Sequence, residues 1–293
     1  MVELGEPTAQ CPTSAGVIRY RDVGQGPTLL FAHGLLFNGR LWRKVVPLLA
    51  DRFRCVVPDL PLGGHRPAMD GRGDLRPPAL AGLLLELAEA TGGPVTLVGN
   101  DTGGALCQLA AARLVEDGRT ELLTGLVLTN CDTFDNFLPR VFRSLQVAGY
   151  LPGGTRLIAE SMRVRALWST PLAYGLLQHS PVDAATVTSY FVPPRADRGV
   201  RHDTAKVLRS IRKRYTVAAA EALRHFDRPT LFAWGDDDRV FRIEDAERLA
   251  AQMPSATVER IEGSRALVPE DQPARLAELV AAFAGVPARP TGA

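Results

Sequence analysis

Apolar and polar positions along the chain fall into two alternating kinds of run. Short apolar runs rich in Val, Leu, Phe and Thr occupy residues 27–32, 54–58, 95–98, 125–129, 230–233 and 257–261. Continuous apolar runs of this length, bounded by turn-forming residues, predict strands buried on both faces. A seventh run, 17–23, alternates apolar with polar and ends at Gly24, the pattern of an exposed edge hairpin. Between them lie stretches with helical spacing at 41–49, 78–90, 105–116, 243–253 and 274–284. Pro77 and Pro78 suit a first helical turn, where the missing N–H would lack a partner anyway. Strands alternating with helices predict an α/β fold with a mostly parallel central sheet covered by helices on both faces.

The alternation stops over residues 135–228, where helix-like segments are interrupted at Pro152-Gly153-Gly154, Pro171, Pro181 and Pro193-Pro194. It resumes at Pro229-Thr230-Leu231. The expectation is a core formed by 1–134 and 229–293, with 135–228 inserted as a helical cap; a separate helical domain is the alternative.

Composition narrows the class. A hydrophobic content of 46% supplies a core, and charged residues at 23% are ordinary for a globular enzyme. Net charge is only +2, which gives no reason to expect nucleic acid. It is unevenly placed: 136–226 carries +9 and the remainder −7. Solvated helix faces such as Arg209, Arg212 and Lys213 account for this; a basic lid that attracts an anionic substrate is the sharper reading. Cys11, Cys55, Cys107 and Cys131 show no zinc or C-x-x-C spacing, which suits free thiols in a reducing compartment. The first residues, with Glu3 and Glu6, lack a signal pattern, and no run approaches the roughly 18 apolar residues of a membrane span. A cytoplasmic protein with a small-molecule substrate is expected, without membrane, metal or cofactor, as a monomer or homodimer. The Pro/Gly/Ala-rich tail after Gly285 reads as disordered.

Candidate chemistry centres on Gly99-Asn100-Asp101-Thr102-Gly103, set between a predicted strand and a predicted helix. This is the G-x-nucleophile-x-G pattern of a nucleophile elbow, although an ordinary Asp-Gly-type turn is the plainer reading. The elbow needs glycines because a sharp strand-to-helix turn strains the nucleophile's backbone and neighbouring Cβ atoms would clash. It also points the helix N-terminus, with its free N–H groups, at the reacting atoms.

On these residues the chain, from about Gly16 to Ala284, resembles the α/β-hydrolase superfamily, and within it the haloalkane dehalogenase and epoxide hydrolase branch that uses an aspartate nucleophile. Three further segments carry the resemblance. Phe31-Ala32-His33-Gly34 looks like the loop whose following amide, at Leu35, joins that of Thr102 in an oxyanion hole. Trp234-Gly235-Asp236-Asp237-Asp238 looks like the turn supplying the triad acid, Asp238, with Asp132 in reserve. The loop from Glu262 to Pro273 looks like the one that carries the histidine base, yet its base position holds Ala266.

The resemblance implies that Asp101 attacks a carbon bearing a halide or strained oxygen and forms an ester. It also implies that water then opens the ester with help from histidine. The first half survives in this sequence; the second lacks its base. Among the other histidines, His33, His65, His179, His202 and His225, His33 is expected nearest Asp101. Further departures touch the leaving group. Thr102 stands where dehalogenases place a halide-binding tryptophan, and Leu35-Leu36 offer no side-chain donor. Cap tyrosines that protonate an epoxide oxygen could be Tyr150, Tyr174, Tyr190 or Tyr215, or these could simply pack. His33, Leu36, His65, Asp132, Trp168 and Leu267 are the expected pocket residues. The implied function is a hydrolase-like enzyme with an Asp nucleophile and impaired turnover; a non-hydrolytic cyclase, lyase or isomerase, or a ligand-binding pseudoenzyme, are the alternatives.

Overall fold

The computed structural model describes residues 4–285 apart from Leu172 and Val182; the tail expected to be disordered lies outside the described residues. Its strands are β1 (Ala9–Thr13), β2 (Gly16–Val23), β3 (Thr28–Ala32), β4 (Arg54–Pro58), β5 (Val95–Asp101), β6 (Leu123–Cys131), β7 (Thr230–Gly235) and β8 (Ala256–Ile261). They form one sheet in the order β1-β2-β4-β3-β5-β6-β7-β8, parallel from β4 through β8, with β1, β2 and β4 antiparallel. The fold is the α/β-hydrolase fold.

All the apolar runs are strands, and each central one is buried on both faces, as helices covering the sheet require. Three expectations need correction. The run 257–261 is a strand but a mostly exposed one, because β8 ends the sheet and has a neighbour on one side alone. The run 17–23 lies one strand inside the edge, because residues 9–13 pair with it and supply the edge. That edge strand was not expected: Cys11 is its one buried residue, and Pro12 is tolerable only where a strand lacks a neighbour on one side. The stretch 41–49 is not an α-helix but two 3₁₀ turns, Gly39–Trp42 and Val46–Leu48. Pro47 breaks it, since it has no N–H to give and its ring clashes with the preceding turn.

The helices are α1 (Pro77–Ala90), α2 (Thr102–Glu116), α3 (Arg143–Tyr150), α4 (Gly154–Ser161), α5 (Ala184–Ala196), α6 (Arg198–Ser210), α7 (Lys213–Ala222), α8 (Ile243–Ala250), α9 (Val268–Asp271) and α10 (Pro273–Ala284). Helices α3 to α6 form an insert between β6 and β7. Helix α7, within the expected cap stretch, packs instead against α2. The loops carrying the candidate residues leave the carboxyl ends of β3 to β8, where open α/β sheets hold their ligands.

Candidate active site

Asp101 is the last residue of β5 and the cap of α2, with φ 54° and ψ −133°. A non-glycine residue at positive φ costs roughly 1–3 kcal/mol and persists only where its surroundings hold it. Two glycines do the holding. A Cβ on Gly103 would lie 2.2 Å from the Ala32 carbonyl oxygen, and one on Gly34 would lie 2.1 Å from Asp101 Oδ2. Backbone thus packs directly against the carboxyl group.

The backbone N–H groups of Thr102 and Leu35 lie beside the Asp101 carboxylate and favour its charged form. Burial nevertheless dominates, and it pushes Asp101 up to about 7, aided by the charge of Asp238. Asp238 is half-buried; Asn130 Nδ2 donates to its Oδ2 at 2.7 Å and the Val240 N–H to its Oδ1 at 2.7 Å. Burial pushes Asp238 to about 6, while Arg265 pulls the other way. Asp132 is wholly buried, and its Oδ1 has no partner among the described residues. Burial first, then the charge of Asp101, hold Asp132 well above the usual carboxylate range. The Thr102 hydroxyl lies 3.5 Å from Asp101 Oδ1 and 3.4 Å from Asp132 Oδ2, so its single proton can serve only one at a time.

Ala266, where the resemblance places the base, is fully buried, and its carbonyl accepts from Asn100 Nδ2 at 2.8 Å. The next N–H, of Leu267, donates to the Leu177 carbonyl at 2.7 Å. Asp271 secures the same loop by accepting from the Arg265, His179 and Ser180 N–H groups. The other imidazoles are committed elsewhere. The Leu60 N–H can only donate, so His33 Nε2, 2.8 Å away, accepts; Nδ1 then carries the proton and donates to the Gly34 carbonyl at 2.9 Å. Burial pushes His33 down to about 4, so it stays neutral. His65 Nε2 lies 3.3 Å from Asp203, and His179 Nε2 lies 2.8 Å from Asp237. His202 and His225 are exposed.

A cavity of about 170 Å³ opens over Asp101. Its core side is Leu35, Leu36 and Phe37; its insert side includes Phe142, Ile158, Met162, Tyr174 and Leu177. Of the six expected pocket residues, only Leu36 lines it. His33 is held beneath the loop by its two hydrogen bonds, and His65 faces Asp203 of α6. Asp132 and Leu267 are packed into the interior, and Trp168 turns its indole N–H to the Met162 carbonyl at 3.0 Å. Of the four tyrosines considered, Tyr174 alone lines the cavity. Tyr190 is buried without a hydroxyl partner among the described residues, and Tyr150 is exposed. The insert's apolar lining was not foreseen, because its helices carry apolar residues on more than one face and periodicity selects none of them.

The profile of the alpha/beta hydrolase family matches residues 29–279, and the chain belongs to that family. Haloalkane dehalogenase 2 of Mycobacterium tuberculosis is 26% identical over 286 residues, covering 92% of this chain and 91% of that protein. An uncharacterized hydrolase of Bacillus subtilis is 27% identical over 280 residues, covering 92% and 96%. Among solved structures, a thermophilic esterase from Thermogutta terrifontis superposes with a TM-score of 0.73 at 19% identity, covering 94% of this chain and 98% of that one.

Proposed function

We propose that the protein is a carboxylate-nucleophile enzyme of the haloalkane dehalogenase and epoxide hydrolase type, acting on a small apolar substrate, with slow or arrested release of its covalent ester. The observation that carries this reading is the Asp101 carboxylate on a positive-φ turn, lining an apolar cavity, with the backbone N–H groups of Leu35 and Thr102 beside it. In the step proposed, one carboxylate oxygen bonds to the substrate carbon as the carbon–oxygen bond of a strained ring breaks. The leaving oxygen takes the proton of Tyr174, a phenol that burial holds above its usual range and so makes a weak acid, and water later restores it. The other carboxyl oxygen becomes the ester carbonyl and stays with the two amides, ready for the negative charge of hydrolysis. Tyr174 favours an oxygen leaving group over a halide, because Thr102 and Leu36 supply no indole or amide side-chain donor to a departing anion.

Asp238 accepts from Asn130 and from the Val240 N–H, each at 2.7 Å, and Ala266 offers no nitrogen where a base would stand. Hydrolysis then relies on the oxyanion hole and binding alone, which leaves roughly 10³–10⁴-fold over water. A second reading, a lyase or isomerase with Asp101 as general base, is favoured by one observation: burial pushes this carboxyl to about 7, close to the pKa that suits proton transfer at neutral pH. Intact-mass analysis after incubation with a panel of apolar epoxides and haloalkanes separates the two. The nucleophilic reading expects an adduct that peptide mapping places on Asp101 and that Asp101→Asn does not form. Turnover to an isomer without any adduct supports the second reading and rejects the first.

A further inference from the structure

Large apolar side chains that are exposed concentrate on one short stretch of the insert. Val147, Tyr150 and Leu151 of α3 and its end are 56–57% exposed, Leu157 of α4 is 71% exposed, and Val164 beyond it is 52% exposed. On α3 these follow Arg143 at helical spacing and so share one face. The side toward α6 is anchored, with Gln146 Nε2 donating to the Leu208 and Ile211 carbonyls, Gly149 packed on Leu208, and the Tyr150 hydroxyl, at the edge of the exposed face, donating to the Arg209 carbonyl. Helix α4 repeats the arrangement: Ile158, Ser161 and Met162 line the cavity, whereas Leu157 points away from it. These two helices therefore roof the apolar cavity with one side and show a second apolar side to solvent. Contiguous apolar surface of this kind marks a binding face.

Charge decides what covers it. Residues 140–167 contain Arg140, Arg143, Arg156, Arg163 and Arg165, all exposed, against the single acid Glu160. A second copy docked by two-fold symmetry would bring these arginines together and repel. A negatively charged lipid surface meets both features at once, since apolar side chains enter the headgroup boundary while arginines pair with anionic headgroups. Among the described residues no helix is long and apolar enough to cross a membrane, so the contact is peripheral. We propose that the outer face of α3 and α4 docks the protein on anionic membranes, where apolar substrates of the cavity beneath it partition. The proposal does not depend on the chemistry at Asp101.

Co-sedimentation of the full chain with phosphatidylglycerol/phosphatidylcholine vesicles, and with phosphatidylcholine vesicles alone, tests it. Binding is expected to the anionic vesicles, weakening as salt is raised because exposed charges are screened. Arg143→Gln and Arg156→Gln should each weaken it about fivefold. Leu151→Ser with Leu157→Ser should weaken it at least about tenfold while thermal stability is kept, since both side chains are already exposed. Absence of binding to anionic vesicles at low salt overturns the proposal, as does binding that these variants leave unchanged. Sedimentation equilibrium completes the test: a dimer that forms without lipid and disappears in the Leu151→Ser/Leu157→Ser variant assigns the face to a second copy instead.

Discussion

At the scale of the residue, Asp101 illustrates how a buried carboxyl group is held at a cost to stability. It occupies a strained backbone conformation, and its carboxyl group is raised from 3.8 to about 7 by burial. The folded state thus binds this proton more tightly than the unfolded one. Linkage then requires stability to fall as pH rises from about 4 to about 7, with the cost complete above the folded value and absent below the unfolded one. Asp238, raised to about 6, acts in the same direction. Asp101→Asn removes the charge while keeping a carbonyl acceptor for the two amides. Its melting temperature should exceed that of the wild type by a few degrees at pH 8, about 2–4 °C per kcal/mol for a chain this long. The gain should vanish near pH 4, which thermal melts across that range would show. An equal gain at both pH values would mean that the carboxylate is not the source of the strain.

Among the elements, the C-terminal loop is where the proposal that Ala266 stands in place of a base can be tested. Ala266 is closed in from below by Asn100 and from the insert side through the Leu267–Leu177 hydrogen bond. Ala266→His must force an imidazole into filled space, so about 1–3 kcal/mol of stability should be lost. If the ester is the intermediate, its hydrolysis should rise by orders of magnitude. Single-turnover decay of the adduct measures this directly; a folded variant with unchanged decay would show that the ester is off the reaction path. This element also marks where sequence reading ends. The strained turn at Asp101 was legible because such a turn is a local covalent geometry, written in glycines within a few residues. The central strands were legible because a strand buried on both faces is a continuous apolar run. Phe142, Ile158, Met162 and Leu177 were not legible as cavity residues, since which face of an insert helix meets the core is set by distant partners. The 3₁₀ turns around Pro47 and the edge strand around Cys11 were lost for a related reason: each is stabilised by neighbours rather than by its own pattern.

For the whole molecule, the insert must stay seated over the carboxyl ends of the strands for any cavity to exist, and a few buried polar groups at the seam hold it there. Asp203 of α6 is 1% exposed, accepts the Met69 N–H at 2.8 Å and lies 3.3 Å from His65 Nε2, so it joins the loop after β4 to the insert. Lys206, one turn further, reaches the Gly71 carbonyl at 2.6 Å, and Asn38 reaches the Ser189 carbonyl at 3.2 Å. The three contacts cross one seam, whereas the sheet beneath is held by its own ladders. Asp203→Ala would strand the Met69 N–H and the His65 imidazole in a buried place, a loss of about 1–3 kcal/mol for each group if the whole fold shares it. Coupling confined to the seam predicts a different result. Hydrogen exchange should quicken in α6 and in residues 63–73 while β5 and β6 keep their protection, because local opening needs only the seam to break. Uniform quickening through β5 and β6 would instead make insert and core a single cooperative unit. The cavity could then not admit a substrate by lifting the insert alone, and entry would have to pass between the helices that roof it.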